Sequence, residues 1–190
     1  MENKKLSICV FCGSSLGTNP RHAEVAEKLG RLIAAHGFAL VFGGGCPGLM
    51  GVVARAARDG GANVVGVLPE FLRWVERPSE WEHELIFTPD LQLRKTRMLA
   101  MADAFVVLPG GAGTMDEFFE IVTSAQLHVL KKPILVVNTD GYFAPLQALL
   151  EHLVVQGFAR PAMLDTYRIV DTPEAAMDAI GHALSASARE

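Results

Sequence analysis

Ala104-Phe105-Val106-Val107-Leu108-Pro109-Gly110-Gly111-Ala112-Gly113-Thr114-Met115-Asp116-Glu117, continuing from Phe118 to Val129, is the stretch whose reading decides the fold. An unbroken apolar run, a glycine-rich turn and an amphipathic run follow one another, which reads as strand, turn and helix. Three glycines let the backbone come close to a ligand. The new helix offers unpaired N–H groups and the positive end of its dipole, which suits a phosphate. Glu117 is expected in the first helical turn, beside whatever that turn holds. Thr114-x-x-Glu117 also fits a capping box, with Thr114 as N-cap. A cap needs neither three glycines nor a proline in front of it, so the surplus points to a site, and the two roles can coexist.

The same alternation extends in both directions. Apolar runs at 6–12, 38–43, 63–68, 84–88, 103–108, 133–138 and 167–170 read as strands. Helical patterns occupy 20–36, 48–59, 90–101, 115–129, 143–156 and 173–186. Gly37 and Gly157 suit helix ends, Pro20 a first turn, and Asp90 and Thr172 N-caps. The strands show little polar alternation, as expected for strands buried on both faces. The pattern predicts an α/β protein with a doubly wound, Rossmann-like parallel sheet in three αβα layers. The turns at Gly13-Ser14-Ser15, Gly43-Gly44-Gly45, Pro69-Glu70 and Pro109 to Thr114 all fall at carboxyl strand ends, where such sheets bind ligands.

A chain of 190 residues with no linker or repeat is expected to form one domain over 1–190. Its net charge of −4 and lack of a basic run predict no nucleic-acid partner. No apolar stretch reaches the roughly 20 residues of a membrane span, and the short apolar start reads as a first strand, so a cytoplasmic protein is expected. Cys9 and Cys12 have redox-motif spacing, yet lie in a strand on opposite faces. The third cysteine, Cys46, and six scattered histidines show no ligand spacing, so no metal is expected.

Gly43-Gly44-Gly45-Cys46-Pro47-Gly48 satisfies G-x-G-x-x-G but follows the second strand, not the first, and the acidic residue about 20 positions on, Glu70, falls past Pro69 in a loop instead of at a strand end. It reads better as a second glycine turn beside a nucleoside. Arg94 and Lys95 sit on the helix that precedes the glycine-turn strand. An arginine there can clamp a phosphate or a sugar hydroxyl through its bidentate fork. On helix 115–129, Glu117, Glu120, Thr123 and Ser124 make the polar side, and Phe118, Ile121, Val122, Ala125 and Val129 the buried stripe. No nucleophile elbow or P-loop occurs.

Phe11-Cys12-Gly13-Ser14-Ser15, Gly43-Gly44-Gly45 with Gly48-Leu49-Met50-Gly51, Arg94-Lys95, and Pro109-Gly110-Gly111-x-Gly113-Thr114-x-x-Glu117 occur in one order. This set closely resembles the Lonely Guy family of cytokinin riboside 5′-monophosphate phosphoribohydrolases, from about Leu6 to Phe158. The resemblance implies hydrolysis of the N-glycosidic bond of an adenine-type nucleoside 5′-monophosphate to free base and ribose 5-phosphate, without a cofactor. It places the catalytic pair on Arg94 and Glu117. It places phosphate and substrate contacts on Gly110, Gly111, Gly113, Thr114, Glu76, Lys95 and Thr123. It also implies a homodimer or larger homo-oligomer. The chain departs from the family's usual pattern at Leu91 and Gln92, where Met-His is common, and at Ala112, where tyrosine is frequent.

The chemistry agrees with these residues. Glycosidic cleavage builds positive charge on the ribose, which a carboxylate such as Glu117 can stabilise while it orients or deprotonates water. Arg94 stays protonated and is suited to clamping. Members of the family are often labelled lysine decarboxylases, a reaction that wants a pyridoxal group on a lysine Schiff base. Nothing in this chain marks such a lysine. A non-catalytic nucleotide-binding or carrier module of the same fold is the alternative reading.

Overall fold

The computed structural model describes residues 5–74 and 80–187. The strands are β1 (Ser7–Phe11), β2 (Ala39–Phe42), β3 (Val64–Pro69), β4 (Glu84–Thr88), β5 (Ala104–Val107), β6 (Ile134–Val137) and β7 (Arg168–Val170). The helices are α1 (Arg21–Ala35), α2 (Gly48–Asp59), α3 (Leu91–Met101), α4 (Ala112–Gln126), α5 (Ala144–Val155) and α6 (Pro173–Ser187). All six strand pairings are parallel, in the order β4-β3-β2-β1-β5-β6-β7. The doubly wound α/β architecture expected from the sequence is the one observed.

Burial on both faces explains the apolar strands. Along β1, Ile8 and Val10 join the core under α1, α2 and α6, whereas Cys9 and Phe11 join the core under α3, α4 and α5. Cys9 and Cys12 are buried on these opposite sides and unpaired. On α4, Phe118, Ile121 and Val122 are buried against the sheet, each contributing about 1.5–3 kcal/mol by leaving water.

Chain order reverses at β1, which lies between β2 and β5. The connection from β4 must therefore return across the sheet to reach β5. Helix α3 makes that crossing and packs against β1, β2, β3 and β4. Its N-terminal turn thus lies near the carboxyl ends of β2 and β3. Asp90 fixes its start, accepting a bond from the Leu93 N–H at 2.7 Å. Thr172 caps α6 in the same way, through the Ala175 N–H at 3.2 Å.

The largest departure from the sequence pattern is α4, which begins three residues earlier than expected. Its N-cap is Gly111, with no side-chain cap bond, so Thr114 lies inside the helix and the capping box does not form. Glu117, the sixth residue of α4, is in its second turn. At the other end the helix stops at Gln126, and His128 turns left-handed at φ 57. Val129 is exposed, not part of the buried stripe. Pro20 occupies the N-cap position of α1 rather than its first turn. After β3 the chain forms a short 3-10 helix over Glu70–Trp74.

Candidate active site

Three turns meet where the chain order reverses. The Gly13 N–H donates to the Pro109 carbonyl at 3.0 Å, and the Gly13 carbonyl accepts from Leu49 N–H at 3.0 Å. A side chain on Gly13 would press within 3.2 Å of the Gly110 Cα. Gly48 has φ +65, and a Cβ there would lie 2.3 Å from the Ser14 backbone. These close approaches lock the turns after β1, β2 and β5 into one wall.

A crevice of about 200 Å³ opens between them, lined by Cys12, Gly13, Ser14, Gly43, Met50 and Arg94 on one side and by Gly111 to Thr114 and Glu117 on the other. At its floor the first-turn N–H groups of α4 have no intrahelical acceptor and no capping side chain. Gly111 and Gly113 have nothing within 4 Å of an added Cβ. Neither lies in the left-handed region. No protein atom demands a glycine at either position, and both leave open space beside the unpaired N–H groups of α4.

Arg94 reaches the crevice because α3 crosses beneath β2 and β3. Its Nε donates to the Val67 carbonyl at 3.1 Å and its Nη2 to the Gly43 carbonyl at 3.2 Å. A Cβ on Gly43 would sit 2.0 Å from that Nη2, so the glycine is the seat of the guanidinium. Nη1 faces Glu117 Oε1 at 3.6 Å, with both side chains nearly buried. Burial pushes the Glu117 carboxyl up to about 7, against the opposing pull of the Arg94 charge. A carboxylate poised near neutrality beside a fixed cation can take a proton and also meet developing positive charge.

The structure brings Arg94, Glu117, Gly111, Gly113 and Thr114 together in this crevice. Gly110 lies just behind them, and a Cβ on it would strike Thr114 Oγ1 at 2.1 Å. Lys95 goes elsewhere. Its Nζ pairs with Asp116 at 2.9 Å and Glu120 at 2.5 Å, tying α3 to α4 outside the crevice lining. Burial alone would lower its pKa, but these two carboxylates raise it, the opposite of what a Schiff-base lysine needs. Thr123 is exposed on α4 and does not line the crevice. Glu76 lies outside the described residues.

Sequence reasoning singled out the second glycine turn, but not that Gly43 serves Arg94. Gly44 has φ +74 and packs against Leu85 and Leu68, so this turn is shaped by its own fold and only Gly43 lines the crevice. The Val67 carbonyl left no sequence signal, and Met50 entered only as part of the Gly48-Leu49-Met50-Gly51 motif, with no role assigned to it. Burial pushes the Cys12 thiol up as well, with Glu117 adding to the effect, so Cys12 lines the crevice as a protonated thiol. Among the described residues no group of three or more His, Cys, Asp or Glu is placed to hold a metal ion, and no helix is long and apolar enough to cross a membrane.

The sequence profile of a family described as possible lysine decarboxylase matches residues 50–180. A cytokinin riboside 5′-monophosphate phosphoribohydrolase of Rhodococcoides fascians is 41% identical over 175 residues, 92% of this chain and 88% of that protein. One from Arabidopsis thaliana is 43% identical over 154 residues, 81% of this chain and 71% of that protein. Among solved structures, the molybdenum cofactor carrier protein of Chlamydomonas reinhardtii superposes with a TM-score of 0.75 at 21% identity, covering 96% of this chain and 99% of that one. A molybdenum cofactor binding protein of Rippkaea orientalis gives the same figures. At such identity the likeness concerns the fold.

Proposed function

This chain belongs to the Lonely Guy family, and from that premise we propose that it is a hydrolase that cuts the N-glycosidic bond of N6-substituted adenosine 5′-monophosphates. The products are the free base and ribose 5-phosphate. The observation that carries the reading is the Arg94–Glu117 pair, 3.6 Å apart beside a helix N-terminus that two unconstrained glycines leave open.

The phosphate rests on the N–H groups of Gly111 to Thr114 and the positive end of α4. That contact fixes the ribose over Glu117 and lets binding energy remote from the reacting bond act on it. As the bond from C1′ to the base breaks, its electron pair leaves with the base and positive charge spreads over the sugar ring. Glu117 stabilises that charge and takes a proton from the water whose oxygen bonds to C1′. The departing base gains a proton from solvent, and Glu117 releases to solvent the proton it took, which returns it to its starting form. Arg94 keeps its proton throughout, offers its Nη1 hydrogens to the phosphate or a ribose hydroxyl, and holds Glu117 nearer its anionic form. Lys95, Thr123 and Glu76 belong to the proposed substrate contacts only by resemblance. For Lys95, a supporting role through Asp116 and Glu120 fits the observed ion pairs better.

The protein is further proposed to act as a homodimer or larger homo-oligomer. Leu127, Val129, Val155 and Phe158, at the C-terminal ends of α4 and α5, leave large apolar surface open, which a second copy would cover. A cytoplasmic setting fits three unpaired cysteines. Light scattering on the purified protein checks the first of these.

The deciding experiment incubates the protein with AMP and with isopentenyl-AMP and separates the products chromatographically, with Glu117→Gln as control. Release of free base by the unmodified protein alone, with the variant slower by roughly 10²–10⁴-fold, is expected. A nucleotide that raises the melting temperature while no base is released would mark a binding module instead.

A further inference from the structure

Tyr142 follows β6 and lies 32 residues from the glycine turn, yet its hydroxyl donates to the Gly110 carbonyl at 2.6 Å. The ring is held edge-on by His22, at 5.4 Å between centroids, and by Phe143, at 5.0 Å. His22 is buried beneath the β1–α1 loop. The loop bearing Tyr142 is itself pinned. Asn138 accepts from the Phe143 N–H at 2.7 Å, and Asp140, at φ 51, accepts from the Asn19 side chain at 2.8 Å. Asp140 also pairs with Arg21 at 3.8 Å. The Tyr142 oxygen therefore arrives at Gly110 from a braced position.

We propose that Tyr142 is a positioning residue that sets which way the Gly110–Gly111 peptide faces and thereby prepares Gly111 N–H for the substrate phosphate. In a planar trans peptide the carbonyl and the following N–H point in opposite directions. With the Gly110 carbonyl held toward Tyr142, the Gly111 N–H turns away from it. Gly110 and Tyr142 border a second cavity, of about 450 Å³, and not the Arg94–Glu117 crevice, whereas Gly111 lines both, as do Gly13 and Ser14. A peptide between two glycines is the least restrained kind of peptide. Left unanchored, it rotates to present its carbonyl, and an oxygen facing a phosphate repels it. The Tyr142 hydroxyl bond biases the turn to its donor-inward form before substrate arrives.

This inference rests on the phosphoribohydrolase reading for its substrate, but its test does not depend on turnover. Tyr142→Phe removes one oxygen and keeps the ring against His22 and Phe143. Its KM for the nucleoside monophosphate should rise roughly fivefold, the factor expected for one hydrogen bond, while kcat changes less than twofold. Calorimetric affinity for AMP and for inorganic phosphate should fall by the same factor, and the thermal midpoint should hardly move. Unchanged phosphate affinity and KM would overturn the proposal. If no base is released by either protein, the hydrolase reading fails while the calorimetric comparison still decides the role of Tyr142. If the variant melts early, phosphate titration of the unmodified protein, followed at the Gly111 amide by NMR, replaces it. A downfield shift is expected, and its absence overturns the proposal.

Discussion

Arg94 Nη1 stands 3.6 Å from Glu117 Oε1, close enough for strong electrostatic coupling and too far for a direct hydrogen bond. The gap matters because Arg94 is already held by two backbone carbonyls and is not free to close on the carboxylate. Glu117 is left partly unneutralised in a buried site, which is why burial outweighs the cation and its pKa rises to about 7. A fully paired carboxylate would be anionic but a weak base.

The raised pKa has a direct pH signature. Base release should climb through pH 7 as the Glu117 carboxylate forms, and the residual activity of Glu117→Gln should lack that limb. Stability should run the other way. The unfolded carboxyl ionises near 4.5 and the folded one near 7, so this group costs the fold stability as pH rises between those values, by about 3 kcal/mol in all. Denaturation of the two proteins from pH 4 to 8 checks this. Curves that stay parallel across that range would rule out a buried, shifted Glu117.

Gly43→Ala should damage catalysis through Arg94. The added Cβ would meet Nη2 at 2.0 Å and displace the guanidinium from its seat. Misplacement of a catalytic group by about 1 Å can cost on the order of 100-fold in rate. The variant should keep its sheet, seen by circular dichroism, and lose kcat/KM by one to two orders of magnitude on that scale. Wild-type kinetics would mean that Arg94 position does not matter.

Gly113→Ala should separate stability from function. No protein atom lies within 4 Å of the new Cβ, and alanine favours the helix by up to about 1 kcal/mol. The melting temperature should hold or rise. The methyl group should intrude where the phosphate binds, so KM should rise by about tenfold or more on the same positional scale. A variant with normal KM would place the phosphate elsewhere.

Lys95→Met tests whether Lys95 touches substrate or supports Glu117. Asp116 and Glu120 raise the Glu117 pKa and Lys95 lowers it. Without the lysine the activity limb should move to higher pH while KM at high pH changes little. A KM increase with no movement of the limb would restore Lys95 to the substrate contacts.

Local pattern was enough for the sheet. Apolar runs buried on both faces and helical periods between them specify parallel strands under two helix layers, and the observed elements lie within a residue or two of the pattern nearly everywhere. The exception, α4, is instructive. Gly111-Ala112-Gly113 reads as loop because glycine disfavours helix interiors. In the first turn, however, N–H groups need no intrahelical partner, and small residues leave them free for a ligand.

The sequence by itself determined the strand–glycine turn–helix unit and the residue types that act there, because backbone preference and side-chain period are properties of neighbours in the chain. Only the tertiary structure decided that Arg94 is seated by carbonyls 27 and 51 residues away, that Lys95 serves Asp116 and Glu120, and that Thr123 faces solvent. Those outcomes depend on where α3 crosses the sheet. That path is imposed by the reversal of strand order at β1, and with it the burial that brings the Glu117 carboxyl close to neutrality.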